Sequence, residues 1–251
     1  MSFLGLSYSE IYTNVDTYNR GNSMAKRRLS AATIAAQAGG YIDQASGGVV
    51  PPIQPSTTFV RDRDYAPHAS GNIYARDDSD TVQIAENILA QLDAAQAALL
   101  FPNGMAAIAA VFRALPTGAT VLVQAQIYWG TTKWVRDFCN RRGMVLVEGD
   151  LSKLDIIEKL CAHHEPNMVF IETPSNPWLR CTDIAHAAKT VHNVGGRLVV
   201  DATAATPILT RVLDFGADIV MHSATKGLNG HSDVLAGVLA TNETESPHWK
   251  A

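Results

Sequence analysis

Cysteine is scarce in this 251-residue chain: Cys139, Cys161 and Cys181 are odd in number, widely spaced and form no CxxC pair. That argues against a disulfide framework and against a thiolate metal site, and it favours reduced thiols in a cytoplasmic protein. Missing too is any apolar run near the roughly 20 residues that a membrane-spanning helix needs. The N-terminus lacks the basic, apolar and small-residue succession of a signal peptide. No charge of one sign dominates: 20 Lys and Arg against 24 Asp and Glu leave a net charge of −4. Electrostatics therefore give no reason to expect nucleic acid or an anionic membrane as partner. Neither GxGxxG nor GxxxxGK[ST] occurs, which removes dinucleotide-binding and P-loop modules. His163-His164-Glu165 has no companion at zinc spacing, so no metal is expected.

Hydrophobic residues make up 47% of the chain and charged residues 18%, enough for a sizeable buried core. Residues 1–28 are polar and irregular, ending in Lys26-Arg27-Arg28, and read as a mobile arm. A helix is expected over 29–41, and an extended stretch over 47–59, where the Gly-Gly-Val-Val-Pro-Pro run forbids helix. Apolar spacing predicts a helix over 81–92. From there short apolar runs at 97–101, 120–123, 144–147, 168–171, 198–200, 219–221 and 234–239 alternate with helical stretches. Such alternation implies an α/β fold, a mainly parallel sheet between helices. The expected organisation is an arm and extended segment over 1–60 and a large domain over 61–251.

The chemistry concentrates where those runs end. Ser223-Ala224-Thr225-Lys226 directly follows an apolar run, placing Lys226 at a strand's C-terminal end with two hydroxyls beside it. Open α/β sheets bind ligands at such ends. A lysine in a partly dry pocket can lose its proton and form a Schiff base with a carbonyl, and hydroxyls suit a phosphate. Taken alone, a Thr-Lys pair is more often a solvated turn. Asp201, at the end of Gly196–Val200, alters that balance. Pyridoxal phosphate (PLP) needs a carboxylate at its pyridine nitrogen, although an isolated Asp before small residues more often caps a helix. Lysine, carboxylate and hydroxyls together point to PLP.

Three stretches then carry a resemblance. Ile171-Glu172-Thr173-Pro174-Ser175-Asn176-Pro177, Val200-Asp201-Ala202-Thr203 and the run from His222 to Asp233 are similar to the Cys/Met-metabolism PLP enzymes. That family includes cystathionine γ-synthase, cystathionine β- and γ-lyases, methionine γ-lyase and the O-acylhomoserine sulfhydrylases. The resemblance implies an aspartate-aminotransferase-like (fold type I) large domain. It also implies a C-terminal small domain beyond Ala251, whose arginine would take the substrate's carboxylate. By the same resemblance Gly104 and Met105 bind the phosphate, with Asn103 where serine is common. Tyr128 stacks on the PLP ring and takes part in proton transfer, Asn176 meets the 3′-oxygen, and Ser223 and Thr225 hold phosphate. Tyr74 and Arg76 resemble a Tyr-x-Arg pair that reaches the phosphate of a neighbouring subunit, implying a homodimer or homotetramer with shared active sites. Glu172 reads as structural, and His222 and His231 as packing or hydrogen-bonding residues.

The implied activity is elimination or replacement at Cγ or Cβ of a small amino-acid substrate. A cystathionine γ-synthase-like replacement leads, with β- or γ-lyase and methionine γ-lyase activity as alternatives. An inactive fragment or PLP-binding scaffold is the alternative of another class. Departures concern the surroundings: Ala202 and Ala204 stand where Asn and Phe are usual, Gly227 where tyrosine is common, and Ser79-Asp80 in place of Asn-Pro.

Overall fold

Seven short strands, most of them apolar along their whole length, build one sheet, and their alternating side chains feed two separate cores. The computed structural model describes residues 29–68 and 71–251; the arm expected over 1–28, with Lys26-Arg27-Arg28, lies outside them. Residues Ala31–Ala251 form one unit.

Helix α1 is Ala31–Ala36, followed by a 3-10 turn at Ala38–Gly40. The single helix predicted over 29–41 is thus broken, because the chain turns left-handed at Ala38, Gly39 and Gly40. The next stretch is extended, touching the rest through an isolated bridge between Thr58 and Tyr74. Helix α2 (Asp80–Asp93) starts at Ser79, whose hydroxyl accepts from the Val82 N–H. The alternation follows: β1 (Ala97–Phe101), α3 (Gly104–Arg113), β2 (Thr120–Gln124), α4 (Trp129–Arg141), β3 (Val145–Gly149), α5 (Leu154–His164), β4 (Met168–Glu172) and α6 (Ile184–Asn193). It closes with β5 (Arg197–Asp201), the single turn α7 (Thr206–Leu209), β6 (Ile219–His222), β7 (Gly237–Thr241) and the single turn α8 (Pro247–Lys250).

The strand order is β1-β7-β6-β5-β4-β2-β3. Only β7 runs antiparallel, pairing that way with both β1 and β6. The other six strands therefore end at the same edge of the sheet. Where an apolar run predicts a strand over 234–239, β7 begins only at Gly237, and Val234 and Leu235 are exposed.

Alternation along the strands divides the core. Val169, Ile171, Leu198, Val200 and Val220 face one way and pack with residues of α5 and α6, including Ile157, Cys161 and Val191. Met168, Phe170, Val199, Ile219 and Met221 face the other way, against Ile108, Phe112 and Val135 of α3 and α4. Burial on both faces explains why the central strands read as continuous apolar runs rather than as alternating ones. Helices on both sides hold the sheet edge at which the parallel strands end.

Candidate active site

Five of the strands that end at this edge deliver polar residues around one cavity of about 380 Å³. The residues come from the ends of β1, β2, β4, β5 and β6, the carboxyl-end position at which open α/β sheets bind ligands. Lining it are Gly104, Met105, Tyr128, Glu172, Asn176, Asp201, Thr203, Ser223, Thr225 and Lys226, among others.

Helix α3 points its N-terminus into this cavity. The Asn103 side chain caps it, accepting from the Ala106 N–H at 2.9 Å. Among the described residues, the N–H groups of Gly104 and Met105 have no acceptor, as expected in a first helical turn. Close packing dictates glycine at two positions here. A Cβ on Gly104 would lie 2.8 Å from the Ser223 Cβ, and one on Gly237 only 2.3 Å from the Asn103 carbonyl oxygen. Glycines let β6, β7 and the α3 terminus close on one another. The Ser223 hydroxyl stands beside that terminus and has no hydrogen-bond partner among the described residues.

Asp201 is the last residue of β5 and is 6% exposed. Its Oδ1 accepts from both the N–H and the hydroxyl of Thr203, at 3.0 and 2.5 Å. Oδ2 makes no hydrogen bond among the described residues. No cap role arises, because α7 starts later, at Thr206. Burial pushes the Asp201 pKa up, against the Thr203 hydrogen bonds and nearby His222, which pull it down. The Thr203 hydroxyl also accepts from the Ser223 N–H at 2.8 Å, tying the β5 end to the lysine loop.

Lys226 lies at the mouth of the cavity and is exposed, not enclosed in a dry pocket. Its own turn is fixed by Lys226 N–H to Ser223 O at 3.0 Å and Gly230 N–H to Lys226 O at 2.8 Å. Its Nζ has no partner among the described residues. Thr225 is placed differently from Ser223. Its hydroxyl donates to Ala236 O at 3.1 Å and accepts from Ala236 N–H at 3.0 Å, bracing the loop against the approach to β7.

Tyr128 immediately precedes α4 and is partly exposed, and Asn176 follows β4. Sequence reading missed what connects them. Glu172, at the end of β4, accepts the Tyr128 N–H on Oε2 at 2.7 Å and the Asn176 N–H on Oε1 at 3.2 Å. Burial, and then the neighbouring Asp201 carboxylate, push its pKa up to about 7. The only signal available in sequence was an acid closing an apolar strand. Thr203 was visible as a hydroxyl two residues after Asp201.

Tyr74 and Arg76 are not among the residues lining this cavity. Arg76 stacks over the Tyr74 ring at 4.8 Å and leaves its side chain 80% exposed. His222 is buried on the α2 side of the sheet, with Nε2 at 3.1 Å from both oxygens of Asp93. His231 is exposed and bonds locally to the Asn229 carbonyl.

A helix N-terminus with open donors, a carboxylate with one oxygen left over and a lysine at the mouth define the class: an α/β domain that holds a phosphorylated aldehyde at its strand ends. The chain belongs to the family described as Cys/Met metabolism PLP-dependent enzymes, which matches residues 32–250. It is 38% identical over 208 residues to cystathionine gamma-lyase of Dictyostelium discoideum, covering 83% of this chain and 53% of that protein. It is 36% identical over 210 residues to cystathionine gamma-synthase/O-acetylhomoserine (thiol)-lyase of Bacillus subtilis, covering 83% and 55%. Its fold matches the crystal structure of cystathionine gamma synthase from Xanthomonas oryzae pv. oryzae in complex with cystathionine. That match has a TM-score of 0.82 and 35% identity, and covers 87% of this chain and 56% of that one. The architecture is thus that of the fold type I large domain, and the chain spans about half the length of the curated relatives it matches.

The residues present fit PLP. The Gly104 cradle that a Cβ would fill leaves backbone donors open to a phosphate, and Asp201 Oδ2 remains for a protonated ring nitrogen.

Proposed function

We propose that this chain is the cofactor-binding part of a PLP-dependent trans-sulfuration enzyme acting on a small amino acid substituted with sulfur or oxygen at Cγ or Cβ. The observation that carries this reading is the convergence of Lys226 and Asp201 from β6 and β5 upon one cavity headed by the α3 N-terminus. When bound, PLP supplies an electron sink that stabilises negative charge next to the amino group of the substrate.

The chain's own residues then divide the work. Gly104 and Met105 N–H groups and the Ser223 hydroxyl hold the phosphate, aided by the positive end of the α3 dipole. Asp201 Oδ2 keeps a proton on the ring nitrogen; that cation in turn offsets the carboxylate's desolvation. Lys226 would supply the amine that anchors the cofactor and the base that moves protons at the substrate carbons. Tyr128 covers one face of the ring and assists proton transfer; the Asn176 amide meets the 3′-oxygen. Thr225 braces the lysine loop through Ala236.

Exposed Tyr74 and Arg76 are assigned to the phosphate of a second copy, which makes a homodimer or homotetramer the working assembly. The guanidinium fork suits a phosphate, and lies outside its own chain's cavity. A cytoplasmic location fits the three unpaired thiols, two of them buried. Among the described residues no helix is long and apolar enough to cross a membrane.

Within the family reading, γ-replacement on an activated homoserine leads and lyase chemistry on cystathionine or methionine follows; relatives bear both kinds of name. The test begins with PLP titrated into the chain and into Lys226→Ala. A visible absorption band in the parent that is lost in the variant supports the site. A band retained by Lys226→Ala would refute the lysine's role. Product analysis with and without an added thiol then separates replacement from elimination. A band without turnover of any such amino acid would favour a PLP-binding scaffold.

A further inference from the structure

A buried carboxylate with no cation beside it is costly unless hydrogen bonds satisfy it. Glu172 is 5% exposed and forms no ion pair among the described residues. It also ends β4 directly beside Asp201, with which it is in register. For stability alone, an uncharged side chain would avoid placing a second acid there. What a carboxylate offers instead is two acceptor oxygens on one rigid plane.

Those oxygens serve two different loops. Oε2 takes the Tyr128 N–H at 2.7 Å and Oε1 takes the Asn176 N–H at 3.2 Å. Tyr128 enters from the end of β2, and Asn176 from the loop after β4. The clamp is itself anchored, because the Glu172 N–H donates to Gln124 Oε1 at 3.3 Å, which ties it to the end of β2. The Tyr128 ring in turn folds over Gly130, where a Cβ would lie 2.5 Å from it.

We propose that Glu172 is a positioning residue whose carboxylate fixes the backbones of Tyr128 and Asn176 relative to one another, and so sets the width of the slot between the aromatic ring and the amide. The proposal rests on reading this cavity as a PLP site. Glu172 acts through the two loops and needs no contact with the reacting atoms.

The test uses the full chain at about pH 8, above the Glu172 pKa of about 7, first without PLP, and reads hydrogen exchange at individual amides. In Glu172→Ala, exchange at Tyr128 and Asn176 accelerates together by about tenfold or more, the loss expected for hydrogen bonds to a charged acceptor. In Glu172→Gln, which keeps the volume and one acceptor oxygen, one amide accelerates and the other does not. Unchanged exchange at both amides overturns the proposal. So does acceleration spread evenly over β4 and β5, the mark of a residue that merely stabilises the core. Should the alanine variant fail to fold, the glutamine variant decides alone. PLP titrated into parent and variants, followed by quenching of the intrinsic fluorescence, adds a second readout: affinity falls about tenfold in Glu172→Ala. Failure of the parent to take up PLP would sink the cofactor reading, while the exchange pattern still decides whether the clamp exists.

Discussion

Two aspartates, each 6% exposed, sit at opposite ends of neighbouring strands, and their surroundings differ in kind. Asp218 lies just before β6, at the edge remote from the cavity. Its Oδ2 accepts the Leu198 N–H at 2.6 Å and faces His192 Nε2 at 2.9 Å. Arg197 Nη1 stands 3.8 Å from its other oxygen while also binding Glu243. Even its carbonyl is used, by the Thr241 hydroxyl. Asp201, at the end of β5, has Thr203 on one oxygen and no partner among the described residues on the other. Equal burial therefore says little about role. A buried acid met by cationic side chains, here His192 and Arg197, is structural, and one that faces a cavity with no such ion pair among the described residues is kept for a ligand.

Replacing Asp218 should break that contrast most visibly. Asp218→Ala leaves the buried Leu198 N–H without an acceptor and removes the centre of an ionic cluster. We expect about 2–4 kcal/mol lost in urea unfolding, with PLP affinity unchanged. A variant of parental stability would show that the remote network contributes nothing. Slightly smaller is the expected pH effect of Glu172. Its folded-state pKa of about 7 lies above the ordinary 4.5, so between those values the folded protein binds the extra proton. Its contribution is fully present below about pH 4.5 and is lost as pH rises through about 7, some 3 kcal/mol in all. Glu172→Gln cannot titrate. Its unfolding free energy relative to the parent should accordingly rise between pH 5 and pH 8, and parallel curves would contradict the shift.

The same contrast explains what could be read from sequence. Buried parallel strands announce themselves as short apolar runs, so Met168–Glu172 and Arg197–Asp201 were expected within a residue or two of their bounds. Val234 and Leu235 look equally strand-like, yet they are exposed and β7 starts after them, because apolarity alone does not say which residues a neighbouring strand will pair. The candidate site residues were visible as types in motifs: lysine after hydroxyls, and an acid closing a strand. Their partners were not. Glu172 serves residues 44 positions upstream and four downstream, and only the folded sheet brings those N–H groups together. Tyr74 and Arg76 were legible only as a motif, and the folded chain leaves them outside the lining of its own cavity.

Asp201→Asn should isolate the ligand-directed half of the comparison. Asparagine can still accept from Thr203 but offers no charge to a ring nitrogen. PLP affinity should fall about 10- to 100-fold, as for a lost hydrogen bond to a charged group, while stability holds or rises because a buried carboxylate is gone. A stability loss like that of Asp218→Ala would erase the distinction.

The smallest expected effect provides the finest test, because it sets two hydroxyls of one loop against each other. The Ser223 hydroxyl stands beside the α3 terminus with no hydrogen-bond partner among the described residues, and the Thr225 hydroxyl is bonded in both directions to Ala236. A phosphate needs donors, and the single hydroxyl proton of Thr225 is already engaged. Ser223→Ala should therefore lower PLP affinity about 3- to 10-fold at unchanged stability. Thr225→Val keeps the shape and the Thr225 N–H bond to the Ala236 carbonyl but strands the Ala236 N–H, so it should cost about 1–2 kcal/mol of stability. Its effect on PLP should come only through a loosened lysine loop, with affinity recovering as the loop is stabilised at low temperature. The reverse pattern, with Thr225 governing affinity and Ser223 silent, would mean that the threonine hydroxyl turns from Ala236 to the phosphate when the cofactor binds.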